Sequence, residues 1–379
     1  MKHFYAVYNI YNPNTASMNR MLSYLDVWGQ LDVEVTVVFL LPNRNFSKLV
    51  LPYKNIKVVH VWEKMPLHSY CLNNLLYFWY VRSFLKMLVP GDNVYIYGQA
   101  YLLNKLVKKK EVSVFLEKTE HPEVSNPGHW PYKSTVKQFV DNSRKVKGLF
   151  VISKSLKNYF VENGVSEDKV NIVNMMVDPL RFSKVRKSDE CVKYVAYCGN
   201  VSNRKDGVDL LIKSFAKVSP KYPNLYLYII GKKPQSPKEN SNYLLAEKLG
   251  ISEKVVFTGI VSYSEMPQML KDATILALNR PNNKQAQYGF PTKLGEYLLT
   301  GNPVVITSVG DIPNYIKDGY SGMLSMPDDI NDFAKKMEWL LEHPLESIRI
   351  GENGRKVALE NFNNNVEAKK IIDHIFSKE

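Results

Sequence analysis

Three cysteines in 379 residues, Cys71, Cys191 and Cys198, are too few and too scattered for a disulfide framework, and none stands in a Cys-x-x-Cys metal pair. That usage fits a reducing cytoplasm. Long apolar runs are equally scarce. The most apolar-looking stretch, 69–89, is broken by Asn73, Asn74, Arg82, Ser83 and Lys86, which are too polar for a lone span of about 20 residues, so it reads as a buried or interfacial helix. The opening Met1-Lys2-His3-Phe4-Tyr5 lacks the charged start, apolar core and small-residue cleavage site of a secretory signal, and export by that route is not expected. No Gly-x-x-x-x-Gly-Lys-Ser/Thr loop occurs, and no Gly-x-Gly-x-x-Gly follows the strand ending at Ile10. Those two absences weaken kinase-like and nicotinamide-dependent readings. No Asp-x-Asp is present to hold Mg²⁺, and solenoid repeats and low-complexity tracts are missing.

What is present is a basic, globular chain with room for two domains: 45% hydrophobic, 23% charged, net charge +13. Such charge draws phosphate-rich partners, whether nucleotide, nucleic acid or anionic membrane. The segments 33–41, 93–97, 112–116, 146–153 and 170–174 are near-continuous apolar runs separated by helical stretches, as in a parallel sheet covered on both faces. A second series begins at 194–198 and continues through 225–230, 255–257, 274–278 and 304–306, with helices at 208–218, 264–271 and 293–299. The pattern predicts two doubly wound halves, 1–183 and 184–362, followed by amphipathic helices at 329–342 and 366–376.

Three stretches carry chemistry. In 287–305 a flexible Gly289-Phe290-Pro291 turn feeds a short helix, so free N–H groups at its start suit an anion. Glu296, a turn inside, is either a solvated helix residue or a carboxylate accepting two hydroxyls of a ribose. In 199–207, between a strand and a helix, Gly199 allows close backbone approach, while Arg204 and Lys205 offer cations for a diphosphate; the alternative is an exposed basic turn. In 255–278, a strand end, Gly259 and a helix starting near Ser264 could face a flat base or simply pack. At the carboxyl end of the strand 112–116, His121 is the candidate of the first half, as a site residue or a structural histidine.

Read in order, Gly199…Arg204-Lys205-Asp206-Gly207, Ile229-Ile230-Gly231-Lys232, Val256-Phe257-Thr258-Gly259, Asp272-Ala273, Pro291-Thr292-Lys293-Leu294-Gly295-Glu296-Tyr297 and Gly301-Asn302-Pro303-Val304-Val305 form an ordered set. It resembles the retaining glycosyltransferases of family 4, most closely over 194–361 and more weakly at Phe150-Val151-Ile152-Ser153 and Asp178…Arg181-Phe182. The resemblance implies an α/β GT-B fold, two Rossmann-like doubly wound domains facing across a cleft, with the last helix (about 363–379) returning to the first domain. It also implies metal-free, retaining transfer from a UDP- or GDP-sugar donor, with no resident cofactor. On that basis Glu296 holds the ribose, and Lys205 with Arg204 neutralises the diphosphate. Gly199, Gly259, Gly289, Phe290, Pro291, Thr292 and Lys293 surround the donor, Asn14 and Thr15 face the diphosphate, and His121 lies near the reacting carbon. Two departures stand out: Tyr288 replaces the family's first glutamate, and Asn200 its usual basic residue. Sugar recognition by that glutamate is therefore not carried over, and Glu117, Glu120 and His121 leave a base-catalysed inverting step formally open.

The expected acceptor is a glycan or polyprenyl-diphosphate-linked glycan in surface polysaccharide synthesis. Lys108-Lys109-Lys110 and the aromatic, basic segment 77–86 suggest contact with an anionic membrane, placing the protein in the cytoplasm or peripherally at the inner membrane face. A nucleotide-sugar epimerase of the same fold and a non-catalytic nucleotide or RNA binder are the competing readings, although no RNA-recognition core is present and no nucleic-acid partner is expected.

Overall fold

The computed structural model describes residues 2–12, 15–42, 49–62, 75–125, 132–189, 192–232 and 241–377. The chain divides into two compact units, Met1–Asn174 with Asn364–Glu379, and Met175–Asn363.

In the first unit, β1 (His3–Tyr8), β2 (Glu34–Phe39), β3 (Ile56–His60), β4 (Asn93–Tyr97), β5 (Ser113–Lys118), β6 (Gly148–Val151) and β7 (Val170–Ile172) make a parallel sheet in the order β3-β2-β1-β4-β5-β6-β7. Val35, Val37, Val38, Ile96, Leu116, Leu149 and Val151 are buried, the consequence of helices on both faces. The helix Ala16–Trp28 is capped by Thr15, which accepts from the Met18 amide, and it buries Met18, Met21, Leu25 and Trp28, spaced three and four apart. Trp28 Nε1 donates to the Ala368 carbonyl (2.9 Å), seating the last helix, Asn364–Phe376, on this unit.

The second unit holds β8 (Tyr194–Cys198), β9 (Tyr226–Ile230), β10 (Val255–Gly259), β11 (Ile275–Leu278), β12 (Val304–Thr307) and β13 (Met323–Ser325), parallel in the order β10-β9-β8-β11-β12-β13. Strand order reverses between β1 and β4 in the first unit and between β8 and β11 in the second. In open parallel sheets ligands bind beyond the carboxyl ends at such reversals.

Three expectations change. The segment 175–183 groups with the second unit, because the Val177 amide donates to Phe362 O (2.9 Å), Arg181 pairs with Glu296, and a Cβ on Gly295 would lie 2.5 Å from Met175 Cε. The Gly289 turn is pinned: Lys284–Tyr288 is helical, and the Gly289 amide donates to Gln285 O (3.1 Å) instead of standing free. Pro344–Asn361, an 18-residue helix, forms where no helix was expected.

Candidate functional site

The carboxyl edge of the second sheet is built of backbone. Gly199, Gly231 and Gly259 lie at the ends of the neighbouring strands β8, β9 and β10 and are joined laterally, Gly199 N–H to Ile230 O (2.8 Å) and Gly231 N–H to Gly259 O (3.1 Å). A Cβ at Gly231 would sit 2.1 Å from Gly199 O, so only glycine permits this approach. At Gly199, with φ of 145°, an added Cβ would meet Lys293 Nζ at 2.5 Å. The result is a flat shelf against which a ligand backbone or phosphate can lie.

A buried cation flanks the shelf. Lys293, first residue of the helix Lys293–Leu299, donates to Asp206 Oδ2 (2.7 Å) and Tyr197 Oη (3.1 Å), and the Tyr197 hydroxyl donates to the same carboxylate (2.9 Å). Asp206 is 3% exposed and the Lys293 side chain 15%. Burial pushes the Lys293 pKa down, and Asp206 opposes that shift. Arg204 and Lys205 stand exposed in the short helix Asn203–Asp206, beside this pair.

Glu296 lies three residues further along the same helix, where its side chain remains 27% exposed. Arg181 Nη1 donates to Glu296 Oε1. The guanidinium is fixed from its other side by the Tyr263 carbonyl (Nη2, 3.1 Å) and by the Tyr263 ring, 3.7 Å below it. Tyr263 and Ile260 are 70% and 79% exposed in the loop after Gly259, an apolar edge that could receive a flat ring. Cys198 marks the midpoint: burial and then Glu296 push its thiol up to about 12, while Lys293 and Arg181 act in the opposite sense.

Within this unit the structure therefore brings Gly199, Gly259, Arg204, Lys205, Lys293 and Glu296 to one sheet edge. Phe290 is placed differently. It is 7% exposed and packs on Tyr315 and Phe362 (ring centroids 5.3 and 5.5 Å), so it supports the loop from the core. Gly289 and Pro291 are buried beside it, and Thr292 is exposed at the start of the helix.

In the first unit His121, 2% exposed, lies three residues past β5. Its Nδ1 accepts from the Glu123 amide (3.2 Å), which leaves the proton of the neutral ring on Nε2. Tyr159 packs against the ring at 4.2 Å. Thr15 uses its hydroxyl on the Asn12 carbonyl and the Met18 amide, and Asn14 lies outside the described residues. Glu117 is taken out of consideration as a base: it is fully buried, with Arg20 Nε (2.6 Å), Tyr24 (3.0 Å) and Tyr95 all donating to it. Beside it Lys118 donates to Ser125 Oγ, and burial lowers its pKa to about 8.

Sequence reasoning missed Asp206 and Tyr197 as partners of Lys293, and Arg181 as partner of Glu296. The one available signal was Asp206 itself, the lone acid directly after two cations in Arg204-Lys205-Asp206. Among the described residues no group of three or more His, Cys, Asp or Glu could hold a metal ion, and no helix is long and apolar enough to cross a membrane.

Solved structures match the whole chain. Sucrose-phosphate synthase from Thermosynechococcus elongatus superposes with a TM-score of 0.79 at 14% identity, covering 100% of both chains. Anabaena HepE in complex with UDP gives 0.72 at 15%, again covering 100% of both. At such identities these likenesses establish the fold, GT-B. The MMP α-(1→4)-mannosyltransferase of Mycolicibacterium hassiacum is 26% identical over 216 residues, 56% of this chain and 50% of that protein. This chain thus spans about half the length of that relative. Residues 180–357, which carry the glycine shelf, Lys293 and the Arg181–Glu296 pair, match the family described as Glycosyl transferases group 1.

Proposed function

We propose that the protein transfers a sugar from a UDP- or GDP-sugar to a glycan or lipid-linked acceptor in surface polysaccharide synthesis, with retention of anomeric configuration and without a metal. The observation that carries this reading is the pairing of cations at one end of the glycine shelf with a carboxylate at the other, the two ends a nucleoside diphosphate requires. The named mannosyltransferase relative and the UDP and UDP-glucose complexes of HepE favour it.

In the reaction the bond between the anomeric carbon and the diphosphate oxygen breaks, and its electron pair leaves with the diphosphate. Lys293, Arg204 and Lys205 are the groups to stabilise that charge. The acceptor oxygen bonds to the anomeric carbon, and its proton passes to the departing phosphate oxygen. Such a step requires no protein base, and the engagement of Glu117 by Arg20, Tyr24 and Tyr95 favours it. His121, with its Nε2 proton, would donate to a donor-sugar oxygen.

The acceptor side has its own support. On the helix Tyr77–Met87 and its flanks, Leu75, Trp79, Arg82, Lys86 and Val89 recur three and four apart, and all are exposed. No acid lies between Leu75 and Glu111 except Asp92. Lys109 Nζ donates to Leu85 O (3.1 Å), tying the lysine run to this helix. Exposed tryptophan interleaved with cations suits an anionic bilayer surface better than solvent. Lys108→Glu/Lys110→Glu should sharply reduce co-sedimentation with phosphatidylglycerol vesicles, and unchanged binding would remove the membrane from the proposal.

The central test is a thermal-shift panel of UDP-, GDP- and ADP-sugars. A ligand at 100 times its Kd adds about 2.7 kcal/mol, so one class should raise the Tm, and Glu296→Ala should abolish the rise. No shift with any nucleotide sugar overturns the proposal, and formation of an epimeric donor without acceptor replaces it with an epimerase. The anomeric configuration of the product, read by NMR with and without EDTA, tests retention and metal independence.

A further inference from the structure

Lys293 and Glu296 stand three residues apart on one helix, a spacing at which opposite charges are neighbours and can pair. Here each is drawn away: Lys293 bonds to Asp206 and Glu296 to Arg181. Arg181 is 14% exposed, and the Tyr263 carbonyl and ring hold it independently of Glu296. Its Nε is buried with no hydrogen-bond partner in the described structure, so the side chain is held through its two terminal nitrogens and the ring face.

We propose that Arg181 is a positioning residue for ribose recognition: it keeps the Glu296 carboxylate off Lys293 and turns it to accept both hydroxyls of a nucleotide ribose. This rests on the reading of Glu296 as the ribose carboxylate. An ionised carboxylate offers about four lone-pair sites. Arg181 occupies one on Oε1, which leaves enough for a vicinal diol without displacing the arginine. Arg181 also joins two parts of the nucleotide site, since its Nη2 and ring contacts fix the loop after Gly259 and its Nη1 fixes the carboxylate. Without it, Glu296 would be free to turn toward Lys293 on the preceding turn, and that would remove the diol acceptor from the shelf while Asp206 keeps Lys293 in place.

The experiment compares UDP with 2′-deoxy-UDP, and GDP with 2′-deoxy-GDP, by calorimetry on the full chain. Wild-type protein should prefer the ribose form by roughly tenfold, the worth of one charge-assisted hydrogen bond. Arg181→Met should cut that preference below about twofold, with the deoxy form bound as well as before to within about twofold. Arg181→Lys, which keeps the charge but cannot reach Glu296 and the Tyr263 carbonyl together, should fall between and serves if the methionine variant does not fold. Arg181→Met combined with Glu296→Gln should behave as Glu296→Gln alone, because the arginine acts through the carboxylate. A ribose preference unchanged in Arg181→Met or Arg181→Lys overturns the proposal, as does an equal loss for both sugars or simple additivity in the double variant. If wild-type protein binds none of these nucleotides, the functional reading falls along with the proposal; if it binds them and only the variants disagree, the proposal alone falls.

Discussion

Asp206→Asn tests how the phosphate end of the shelf is kept charged. The carboxylate lies 2.7 Å from Lys293 Nζ, at 3% exposure, and it also receives the Tyr197 hydroxyl. At an effective dielectric constant of about 20 the pair attracts by roughly 6 kcal/mol, most of it offset by desolvating both ions. Removing one partner does not return that desolvation, so the expected cost is about 3–5 kcal/mol in urea unfolding. Two pH effects of opposite sign should follow. Burial already lowers the Lys293 pKa below 10.5, and the Asp206 carboxylate is the group that chiefly resists the shift. Between its folded value and 10.5 the unfolded chain holds a proton that the folded chain lacks, so stability rises with pH across that window. In Asp206→Asn the window should open at lower pH. Nucleoside-diphosphate affinity should fall over the same range as the ammonium becomes neutral, while nucleoside binding stays flat. Calorimetry of UDP and uridine between pH 6 and 9, beside urea titrations, reads both. A variant within about 1 kcal/mol of wild type with pH-independent UDP affinity would refute the reasoning.

Three other expectations follow from buried groups. Lys118, lowered to about 8 from 10.5 by burial, should add about 3 kcal/mol of stability as pH rises from 8 to 10.5, and Lys118→Met should flatten that rise in pH-dependent urea titrations. Glu117→Gln leaves the Arg20 guanidinium with its two backbone carbonyls but no counter-charge and should cost about 3–5 kcal/mol; a change under 1 kcal/mol in the same titrations would show the ion pair to be dispensable. Cys198, pushed up to about 12, should react with maleimide at pH 7.5 about 1,000-fold more slowly than a free thiol in a Cys71→Ser/Cys191→Ser background, and at the free-thiol rate once unfolded.

Both sheets were legible because parallel strands covered on two faces need continuous apolar, β-branched runs; Tyr194–Cys198 and Asn93–Tyr97 fall where those runs lie. The helix Pro344–Asn361 contains Gly351 and Gly354, residues that weaken a helical pattern in sequence. In the fold they allow close packing, since a Cβ at Gly351 would lie 2.2 Å from Gly301 O. Phe290 looked like a ligand-loop residue because its neighbours are Gly289 and Pro291, yet its partners Tyr315 and Phe362 are distant in sequence. The site shows the same division. Strand-end glycines and cations are local features and could be read directly. The pairings Lys293–Asp206 and Glu296–Arg181 join residues 87 and 115 positions apart, and no local pattern encodes them.

Those two pairings decide what the helix Lys293–Leu299 can offer a ligand. A lysine and a glutamate one turn apart are within reach of each other, and left alone they could pair. Each has instead been given a partner from elsewhere in the unit, Asp206 below the shelf and Arg181 beside the Tyr263 loop, and both partners are anchored more firmly than the group they hold. Asp206 is 3% exposed, and the Arg181 side chain, at 14%, is less exposed than that of Glu296, at 27%. Fixed partners leave the two functional groups separated and charged, with a cation at one end of a backbone shelf and an acceptor at the other. The absence of a glutamate at Tyr288 does not disturb this arrangement, because neither pairing involves that position. Recognition of the nucleotide and recognition of the sugar are therefore separable here, and substitutions at Arg181 or Asp206 should change nucleotide affinity without changing which sugar is chosen.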